Sequence, residues 1–371
     1  MRPDFLDEYE FFTGVPDSLL RPFCDHLMKK HGLGSCHIIA ANEGNAVGLA
    51  AGYYFATGKI PVVYLQNSGI GNIINPVASL LNDRVYGIPV IFVIGWRGEP
   101  GKQDEPQHIY QGEITLQLLK DIGIKTYVIS NVTTEEEICR QKQYFTSYLN
   151  NGKSVAWIIG KGAFHSGNKY DAKNSYIMRR EEILSQIILT AKEDIIVSTT
   201  GKTSRELFEL REKNKQSHQQ DFLTVGSMGH SSSIALGLAL KTPNKRIWCI
   251  DGDGAALMHM GAMATVAAYA PNNMIHIVIN NEAHESVGGL PTVANKIDFI
   301  QIAKGCGYPC AKSVQDRESL HKELQYIAAK KQLAFLEIKC AIGARSDLGR
   351  PTVTAEENKK SLMKYLLQDI K

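Results

Sequence analysis

Three residues in the stretch 246–289 carry oxygen atoms that could hold a divalent cation. Asp253 offers a carboxylate, Asn281 follows 28 residues later with an amide oxygen, and Ala283 offers a backbone carbonyl. Mg²⁺ prefers octahedral oxygen ligands and is usually held by one or two carboxylates together with phosphates of a substrate. We therefore predict a Mg²⁺ site with Asp253, Asn281 and Ala283 as ligands, completed by a phosphorylated molecule.

The apolar pattern around these residues predicts the elements that position them. Residues 247–250 and 274–279 are short apolar runs typical of buried parallel strands, and residues 255–268 have helical spacing. The two polar side chains then follow the carboxyl ends of neighbouring strands, where open α/β sheets bind ligands. Gly252 and Gly254 would let backbone N–H groups approach a phosphate at the start of the helix.

Glu43 is a second candidate for chemistry. It follows a predicted strand at residues 35–41 and precedes a helix rich in alanine and glycine. A carboxylate with so little water around it has a raised pKa, so it could share a proton with a nitrogen base. The alternative is a helix N-terminal carboxylate that the helix dipole favours, and the residues around Glu43 alone leave both interpretations open.

Composition limits the classes of function. A chain of 371 residues predicts about two domains, and 44% hydrophobic with 21% charged residues is ordinary for a globular protein. A net charge of +3 does not favour nucleic-acid binding. No apolar run approaches the length of a membrane span, and the acidic, aromatic first residues are unlike a signal peptide. The seven scattered cysteines predict reduced thiols in a cytoplasmic protein.

Strands that alternate with helices predict an α/β protein built from two doubly wound parallel-sheet domains. We place the first domain at residues 1–165 and the second at residues 166–371, because residues 161–176 form a polar linker without periodicity. Residues 96–111 form a long loop rich in glycine and proline, and such loops are usually functional or disordered.

Gly-Asp-Gly at residues 252–254, joined to Asn280-Asn281 after one helix and one strand, resembles the cofactor motif of the thiamin diphosphate-dependent decarboxylases and transketolases. The resemblance covers nearly the whole chain. It implies a pyrimidine-binding domain followed by a diphosphate-binding domain, without the middle domain of pyruvate decarboxylases. It also implies thiamin diphosphate and Mg²⁺ as cofactors, with Glu43 as the acid that protonates the aminopyrimidine ring.

The resemblance assigns further cofactor contacts. Residues 68–72 match the glycine loop near the pyrimidine, and residues 200–204 fall where the family contacts the diphosphate. Residues 226–230 match the segment whose bulky residue holds the cofactor bent; without that match, Met228 would be an ordinary core methionine. The implied cofactor-binding residues are Glu43, Ser68, Gly69, Thr200, Gly201, Thr203, Gly226, Met228, Gly252, Gly254, Ala255 and Asn281.

The two-domain layout is similar to that of phosphonopyruvate and sulfopyruvate decarboxylases. Residues 12–20, 227–231, 280–289 and 347–351 look closest to the phosphonopyruvate enzymes. The resemblance implies decarboxylation of 3-phosphonopyruvate to phosphonoacetaldehyde and CO₂, in phosphonate biosynthesis. Sulfopyruvate or another 2-oxo acid is the first alternative. A non-catalytic nucleotide-binding α/β protein is the second, and it would require Glu43 and the metal motif to be incidental.

A dianionic phosphonate needs cationic or backbone donors, and arginine forks suit it best. The candidate substrate residues lie in turns and loops: Ser18, Arg97, Lys102, Arg345 and Arg350. Taken singly, each of these cations is better explained as a solvated surface charge. Asp17 and His284 are the candidate proton carriers, and His108 and His230 are weaker candidates for the same task.

The resemblance also predicts an assembly. In that family the cofactor lies between the first domain of one subunit and the second domain of its partner. We therefore expect a homodimer or a dimer of dimers. The helix after Glu43 fits this expectation, because Ala46, Ala50 and Ala51 would allow close approach at an interface.

Overall fold

The structure is a computed structural model that describes residues 1–164 and 169–367. It divides into a first unit, Met1–Asp171 with Val287–Leu290, and a second unit, Ala172–Ser286 with Pro291–Lys371. The boundary predicted between residues 165 and 166 falls outside the described residues. No described helix combines the length and the apolar character needed to cross a membrane.

The first unit is built on a parallel sheet of six strands. Its elements in chain order are β1 (Phe12–Gly14), α1 (Arg21–His31), β2 (His37–Ile39), α2 (Glu43–Thr57), β3 (Val62–Gln66), α3 (Ile70–Pro76), β4 (Ile91–Gly95), α4 (Pro106–Asp121), β5 (Lys125–Ile129), α5 (Glu135–Leu149) and β6 (Val155–Ile159). The strand order is β2-β1-β3-β4-β6-β5. β2 and β3 thus lie on opposite sides of β1, so the strand order reverses there. In open α/β sheets, ligands bind at the carboxyl ends of the strands beside such a reversal, here β1 and β3.

Alternating side chains of β3 show that both faces of this sheet are covered. Val62 and Tyr64 belong to one buried hydrophobic cluster, together with Phe23 of α1 and Phe145 of α5. Their neighbours along the strand belong to a second cluster, which contains residues of α2, α3 and α4. A strand that is buried on both faces is typical of a doubly wound α/β sheet.

The second unit repeats this plan. Its elements in chain order are α6 (Arg180–Ala191), β7 (Ile195–Ser198), α7 (Lys202–Lys213), β8 (Asp221–Leu223), α8 (Ser231–Lys241), β9 (Ile247–Gly252), α9 (Asp253–Met258), α10 (Gly261–Tyr269), β10 (Met274–Asn280), β11 (Ala283–His284), β12 (Leu290–Pro291, at the boundary with the first unit), α11 (Phe299–Cys306), β13 (Cys310–Val314), α12 (Arg317–Ala329), β14 (Ala334–Lys339) and α13 (Ala355–Leu367). Six strands form a parallel sheet in the order β13-β14-β10-β9-β7-β8. Its switch point lies between β7 and β9, next to β10.

The predicted fold class is therefore confirmed, and the differences are local. The helix expected over residues 255–268 is two helices, α9 and α10, because the chain turns at His259 and Met260. The loop expected to extend to residue 111 ends at Glu105, because Pro106 begins α4. Proline suits the first position of a helix, since an N–H group there would have no intrahelical acceptor.

The helix α2 corrects one expectation about the assembly. Ala46, Ala50 and Ala51 are buried in the core of their own unit, so they cannot approach another subunit. Outside this buried face, α2 carries the exposed apolar side chains Leu49 and Phe55, which are 38% and 64% exposed. An interface formed by this helix would therefore use the second pair.

Candidate active site

Asp253 and Asn281 meet at the carboxyl ends of β9 and β10. Asp253 is the first residue of α9 and is buried. Thr292 donates a hydrogen bond from Oγ1 to its Oδ2 at 2.5 Å, and the backbone N–H of Asn281 also hydrogen-bonds to the carboxylate. Burial outweighs these bonds and raises the pKa of Asp253 to about 7. A carboxylate in this position would be stabilised by a bound cation.

The amide of Asn281 is held at both of its ends. Its Oδ1 accepts from the backbone N–H of Ala283 at 3.1 Å, and its Nδ2 donates to Glu285 at 2.8 Å. Ala283, the third predicted ligand, is buried in the short strand β11. The structure thus brings Asp253 and Asn281 together at the strand ends, and their side-chain oxygens are of the kind that Mg²⁺ prefers.

Gly254 leaves room for two of the predicted residues. A Cβ atom at this position would lie 3.2 Å from Cε of Met228 and 3.3 Å from the ring of His284. Met228 is half-buried, so it is not a residue of the closed core. His284 is buried, and burial lowers its pKa to about 4. Its imidazole is therefore neutral near pH 7, and any proton exchange by His284 would start from this neutral form.

The predicted diphosphate contacts lie at the switch point of the second sheet. Gly201 adopts a φ of +88° immediately before α7, whose first turn contains the buried Thr203. Thr200 donates from Oγ1 to the carbonyl of Val225 at 2.7 Å, next to Gly226. The start of a twelve-residue helix presents free backbone N–H groups, which is a favourable environment for a phosphate.

In the first unit, Glu43 is the first residue of α2 and only 5% exposed. Asn72 donates from Nδ2 to its Oε2 at 2.7 Å. A Cβ atom on Gly69 would lie 2.4 Å from the other oxygen, Oε1, so only glycine fits there. Burial raises the pKa of Glu43, in the direction expected from the sequence, although the bond from Asn72 opposes it. Ser68, also predicted to contact the cofactor, is exposed beside Gly69.

Asp17 is fully buried in the turn after β1. Its Oδ2 accepts from the backbone N–H of Leu19 at 2.9 Å, whereas its Oδ1 has no hydrogen-bond partner among residues 1–164 and 169–367. Burial raises its pKa to about 6, and the nearby charge of Arg97 limits the rise. A Cβ atom on Gly95, at the end of β4, would lie 2.1 Å from Oδ2. The carboxyl group is therefore packed directly against the strand end.

Arg97 is held in one orientation beside this acid. Its Nε donates to Asp104 at 2.8 Å, its Nη2 also contacts that carboxylate, and its Nη1 donates to Oγ of Ser18 at 3.0 Å. Asn67 fixes the backbone of Arg97 through two further hydrogen bonds, of 3.1 and 2.8 Å. The structure thus brings Asp17, Ser18 and Arg97 together from separate parts of the sequence.

The other predicted cations differ from Arg97 in their partners or in their exposure. Arg345 donates to Glu181 at 2.6 Å and to Asp347 at 3.0 Å, and also contacts Glu209, so three carboxylates occupy its guanidinium. Lys102 and Arg350 are exposed. Of the weaker histidine candidates, burial lowers the pKa of His108 in α4, and exposed His230 lies against the ring of His259. Arg97 is the cation of the predicted set that the structure joins to Ser18.

The sequence did not reveal four partner side chains of the site: Asn72, Asp104, Thr292 and Glu285. Asn72 and Glu285 lie inside the segments 68–72 and 280–289, which were chosen for their motifs. Their closeness in sequence to predicted site residues could therefore have indicated them. Thr292 reaches Asp253 from 39 residues away. Nothing in its local pattern marks it.

Comparison with known proteins decides between an enzyme and a non-catalytic protein. The N-terminal TPP binding domain of thiamine pyrophosphate (thiamin diphosphate) enzymes matches residues 5–119, and the C-terminal TPP binding domain matches residues 199–338. Phosphonopyruvate decarboxylases from Streptomyces viridochromogenes and Streptomyces hygroscopicus are each 31% identical over 93% of this chain, covering 88% and 87% of their own lengths. A sulfopyruvate decarboxylase from Methanosarcina acetivorans is 27% identical, covering 80% of this chain and 79% of its own length.

The chain belongs to the thiamine pyrophosphate enzyme family. This thiamin diphosphate-dependent decarboxylase is a carboxy-lyase with two cofactor-binding domains and no middle domain between them. The resemblance inferred from Gly-Asp-Gly and Asn-Asn is thus confirmed, and a non-catalytic nucleotide-binding protein is excluded.

The described residues of the decarboxylase fit its cofactor. Gly69 leaves space for the buried carboxyl of Glu43, and Gly254 leaves space for Met228 and His284. Asp253 is a buried acid whose pKa of about 7 a divalent cation would lower again. The individual role of each of these residues stays a prediction.

Proposed function

We propose that this decarboxylase converts 3-phosphonopyruvate to phosphonoacetaldehyde and CO₂ with thiamin diphosphate and Mg²⁺, as a step in the biosynthesis of phosphonates. The two phosphonopyruvate decarboxylases match more of the chain, at higher identity, than the sulfopyruvate decarboxylase does. Similarity of this degree supports the substrate but does not explain how it would be recognised. The arrangement of Arg97 supplies that explanation.

The observation that carries the proposal is the fixed fork of Arg97 beside Ser18. Asp104 holds the Nε and Nη2 side of the guanidinium, and Ser18 accepts from Nη1. Because the Ser18 hydroxyl accepts this bond, its own hydrogen is free to donate to a substrate oxygen. A phosphonate would therefore receive donors from Nη1 and from the hydroxyl. A fixed pair of donors suits the tetrahedral array of oxygens that a phosphonate presents.

Bound thiamin diphosphate would supply the electron sink for the loss of CO₂. Asp253, Asn281 and the carbonyl of Ala283 would hold Mg²⁺ against the diphosphate. Glu43 would hold the proton that the aminopyrimidine needs; Asn72 engages its Oε2, which leaves Oε1 for the exchange.

Asp17 is suited to the second proton transfer, the one that completes the aldehyde. A pKa of about 6 lets a carboxyl group give up and regain a proton close to neutral pH. Its Oδ1 has no partner in the described part of the chain. Arg97, close enough to act on its charge, would stabilise the carboxylate that forms after transfer.

We further propose a homodimer or dimer of dimers, in which Glu43 of one subunit and Asp253 of another serve the same cofactor. The exposed Leu49 and Phe55 on α2 support this assembly, because apolar side chains at the surface favour burial between subunits. One cofactor would need Glu43 at its pyrimidine end and Asp253 at its diphosphate end. The family resemblance implies that these two residues come from different subunits.

Sulfopyruvate is the second candidate substrate, because a sulfopyruvate decarboxylase also matches most of the chain. A sulfonate carries one negative charge and a phosphonate carries close to two. Both groups present three oxygens, and Asp104 neutralises Arg97 only in part, so the larger charge of the phosphonate is the property that would separate the two substrates here.

Phosphorus NMR tests the proposed reaction directly. Protein supplied with thiamin diphosphate and Mg²⁺ should convert the phosphonopyruvate signal into that of phosphonoacetaldehyde, with one CO₂ per aldehyde and no inorganic phosphate. Asp253→Ala is the control, because it removes the carboxylate of the metal site. Rapid decarboxylation of pyruvate alongside an unchanged phosphonopyruvate signal would refute the proposal.

A further inference from the structure

Three buried charged side chains and the half-buried Lys202 form a cluster next to Asn281. Arg180 makes a two-pronged pair with Glu206, at 2.7 Å for both Nε and Nη2. Its Nη1 donates to Glu285 at 2.9 Å, and Lys202 donates to the other oxygen of Glu285 at 2.8 Å. The side chains of Arg180, Glu206 and Glu285 are 6%, 1% and 8% exposed. Two positive and two negative charges balance.

Burying the charges of Arg180, Glu206 and Glu285 costs desolvation energy, and apolar residues of similar size are often at least as stable. The cluster therefore needs a reason other than stability. It fixes the position and the charge of Glu285. Glu285 accepts hydrogen bonds on both of its oxygens, from Arg180 at Oε2 and from Lys202 at Oε1. Paired with these two cations, it acts as a hydrogen-bond acceptor toward its other neighbours.

A fixed acceptor determines how the amide of Asn281 is oriented. Its Nδ2 donates to Oε2 of Glu285 at 2.8 Å, while its Oδ1 accepts from the N–H of Ala283 at 3.1 Å. Rotating the amide by half a turn would bring two oxygens together at Glu285 and two N–H groups together at Ala283. The cluster therefore keeps Oδ1, which has a second lone pair, on the side away from Glu285.

We propose that Glu285 is a positioning residue that presents Oδ1 of Asn281 to the metal ion. The inference rests on the proposed function, in which Asn281 is a metal ligand. Replacing a group that hydrogen-bonds to a metal ligand and orients it commonly weakens metal affinity about 10- to 100-fold. The negative charge of Glu285 would add to this effect by attracting the cation.

The test measures Mn²⁺ affinity in the absence of substrate. Electron paramagnetic resonance gives free Mn²⁺ in solutions of the protein with saturating thiamin diphosphate. Glu285→Gln keeps the shape of the side chain but removes its charge and its strict acceptor character. We expect the Mn²⁺ dissociation constant of Glu285→Gln to rise about 10- to 100-fold. With Mn²⁺ at saturation, kcat should recover most of its parental value.

Glu206→Gln is the matched control, because it breaks the same cluster at the carboxylate that does not contact Asn281. It should lower the melting temperature of the cofactor-free protein at least as much as Glu285→Gln does, yet leave Mn²⁺ affinity within about threefold of the parent. If both variants weakened Mn²⁺ binding in proportion to their loss of stability, Glu285 would have only a structural role. Parental affinity in Glu285→Gln would also overturn the inference.

Asp253→Ala separates a failure of this inference from a failure of the proposed metal site. Loss of Mn²⁺ binding in Asp253→Ala, combined with parental binding in Glu285→Gln, would retain the site and reject only the role of Glu285. Parental Mn²⁺ binding in Asp253→Ala would instead reject the metal site itself, and the positioning role with it.

Discussion

Three buried acids of this protein differ in the charges around them. Burial raises the pKa of Glu43 and of Asp17, which have no ion-paired cation at bonding distance in the described chain. Glu285 is similarly enclosed, but Arg180 and Lys202 keep its pKa low. Environments that separate pKa values in this way separate proton carriers from permanent charges. We accordingly propose proton transfer for Glu43 and Asp17 and orientation for Glu285.

Glu43→Gln should bind thiamin diphosphate but fail to activate it. The amide fills the space beside Gly69 and can still bond to Asn72, but it cannot exchange the ring proton. We expect kcat to fall by at least about 10²- to 10⁴-fold, the usual contribution of a general acid or base. Proton exchange at the cofactor's thiazolium ring, followed by NMR, is the direct measurement. Exchange at the parental rate would mean that Glu43 has another task.

Asp17 should make the stability of the cofactor-free protein depend on pH. Its pKa is about 6 when folded and 3.8 as its ordinary value, so the folded state binds its proton more tightly. The stability linked to this proton is present below pH 4 and lost as pH rises through 6, by about 3 kcal/mol in total. Asp17→Asn should lack this loss.

Urea unfolding at several pH values between 4 and 7 measures the effect. The free energy of unfolding of the parent, minus that of Asp17→Asn, should decrease steadily as pH rises across this range. Glu113→Gln, at an exposed position of α4, is the control and should follow the parent at every pH. Parallel curves for the parent and Asp17→Asn would show that Asp17 is not the group that titrates.

The loop that carries Arg97 depends on close packing against α4. A Cβ atom on Gly112 would lie 1.8 Å from the carbonyl oxygen of Gly98, which itself has a φ of +68°. Trp96 adds a hydrogen bond from Nε1 to the carbonyl of Gly112, at 2.9 Å. The orientation of Arg97 is thus a property of the contact between this loop and this helix.

Gly112→Ala should separate the loop from the helix. Because the clash is with backbone, we expect a loss of about 1–3 kcal/mol of stability and a KM for phosphonopyruvate raised at least fivefold. Thermal unfolding and steady-state kinetics measure the two effects. Gly237→Ala, in the middle of α8 where an added Cβ meets nothing within 4 Å, should instead stabilise the protein by about 0.5–1 kcal/mol. A normal KM in Gly112→Ala would disconnect the loop from substrate binding.

Strands β9 and β10 were predictable because each is a mostly apolar run that ends in polar residues. Asp253 and Asn281 could therefore be placed together from sequence alone. The short strand β8 could not, since three residues carry too little pattern. Side chains that contact the site from a distance, such as Thr292, depend on tertiary folding. The break between α9 and α10 could not be predicted either, because no proline or pair of glycines occurs at residues 259–260.

At the scale of the whole molecule, the crossed assembly predicts complementation. Glu43→Gln and Asp253→Ala are each inactive, but a hybrid dimer contains one site in which both residues are intact. With free exchange at equal mixing, about half of the dimers are hybrid and each has one good site of two. Activity should recover to about a quarter of the parental value. No recovery despite demonstrated subunit exchange would place Glu43 and Asp253 in the same chain's site.

The proposed substrate is tested by the ratio of kcat/KM for phosphonopyruvate to that for sulfopyruvate. Both acids are assayed under the same conditions by CO₂ release, with the parent and with Arg97→Gln. We predict that the parent prefers phosphonopyruvate by at least about tenfold, because the dianion would strengthen one or two charge-assisted hydrogen bonds, and that Arg97→Gln loses most of this preference. An equal or greater kcat/KM for sulfopyruvate in the parent would contradict the account.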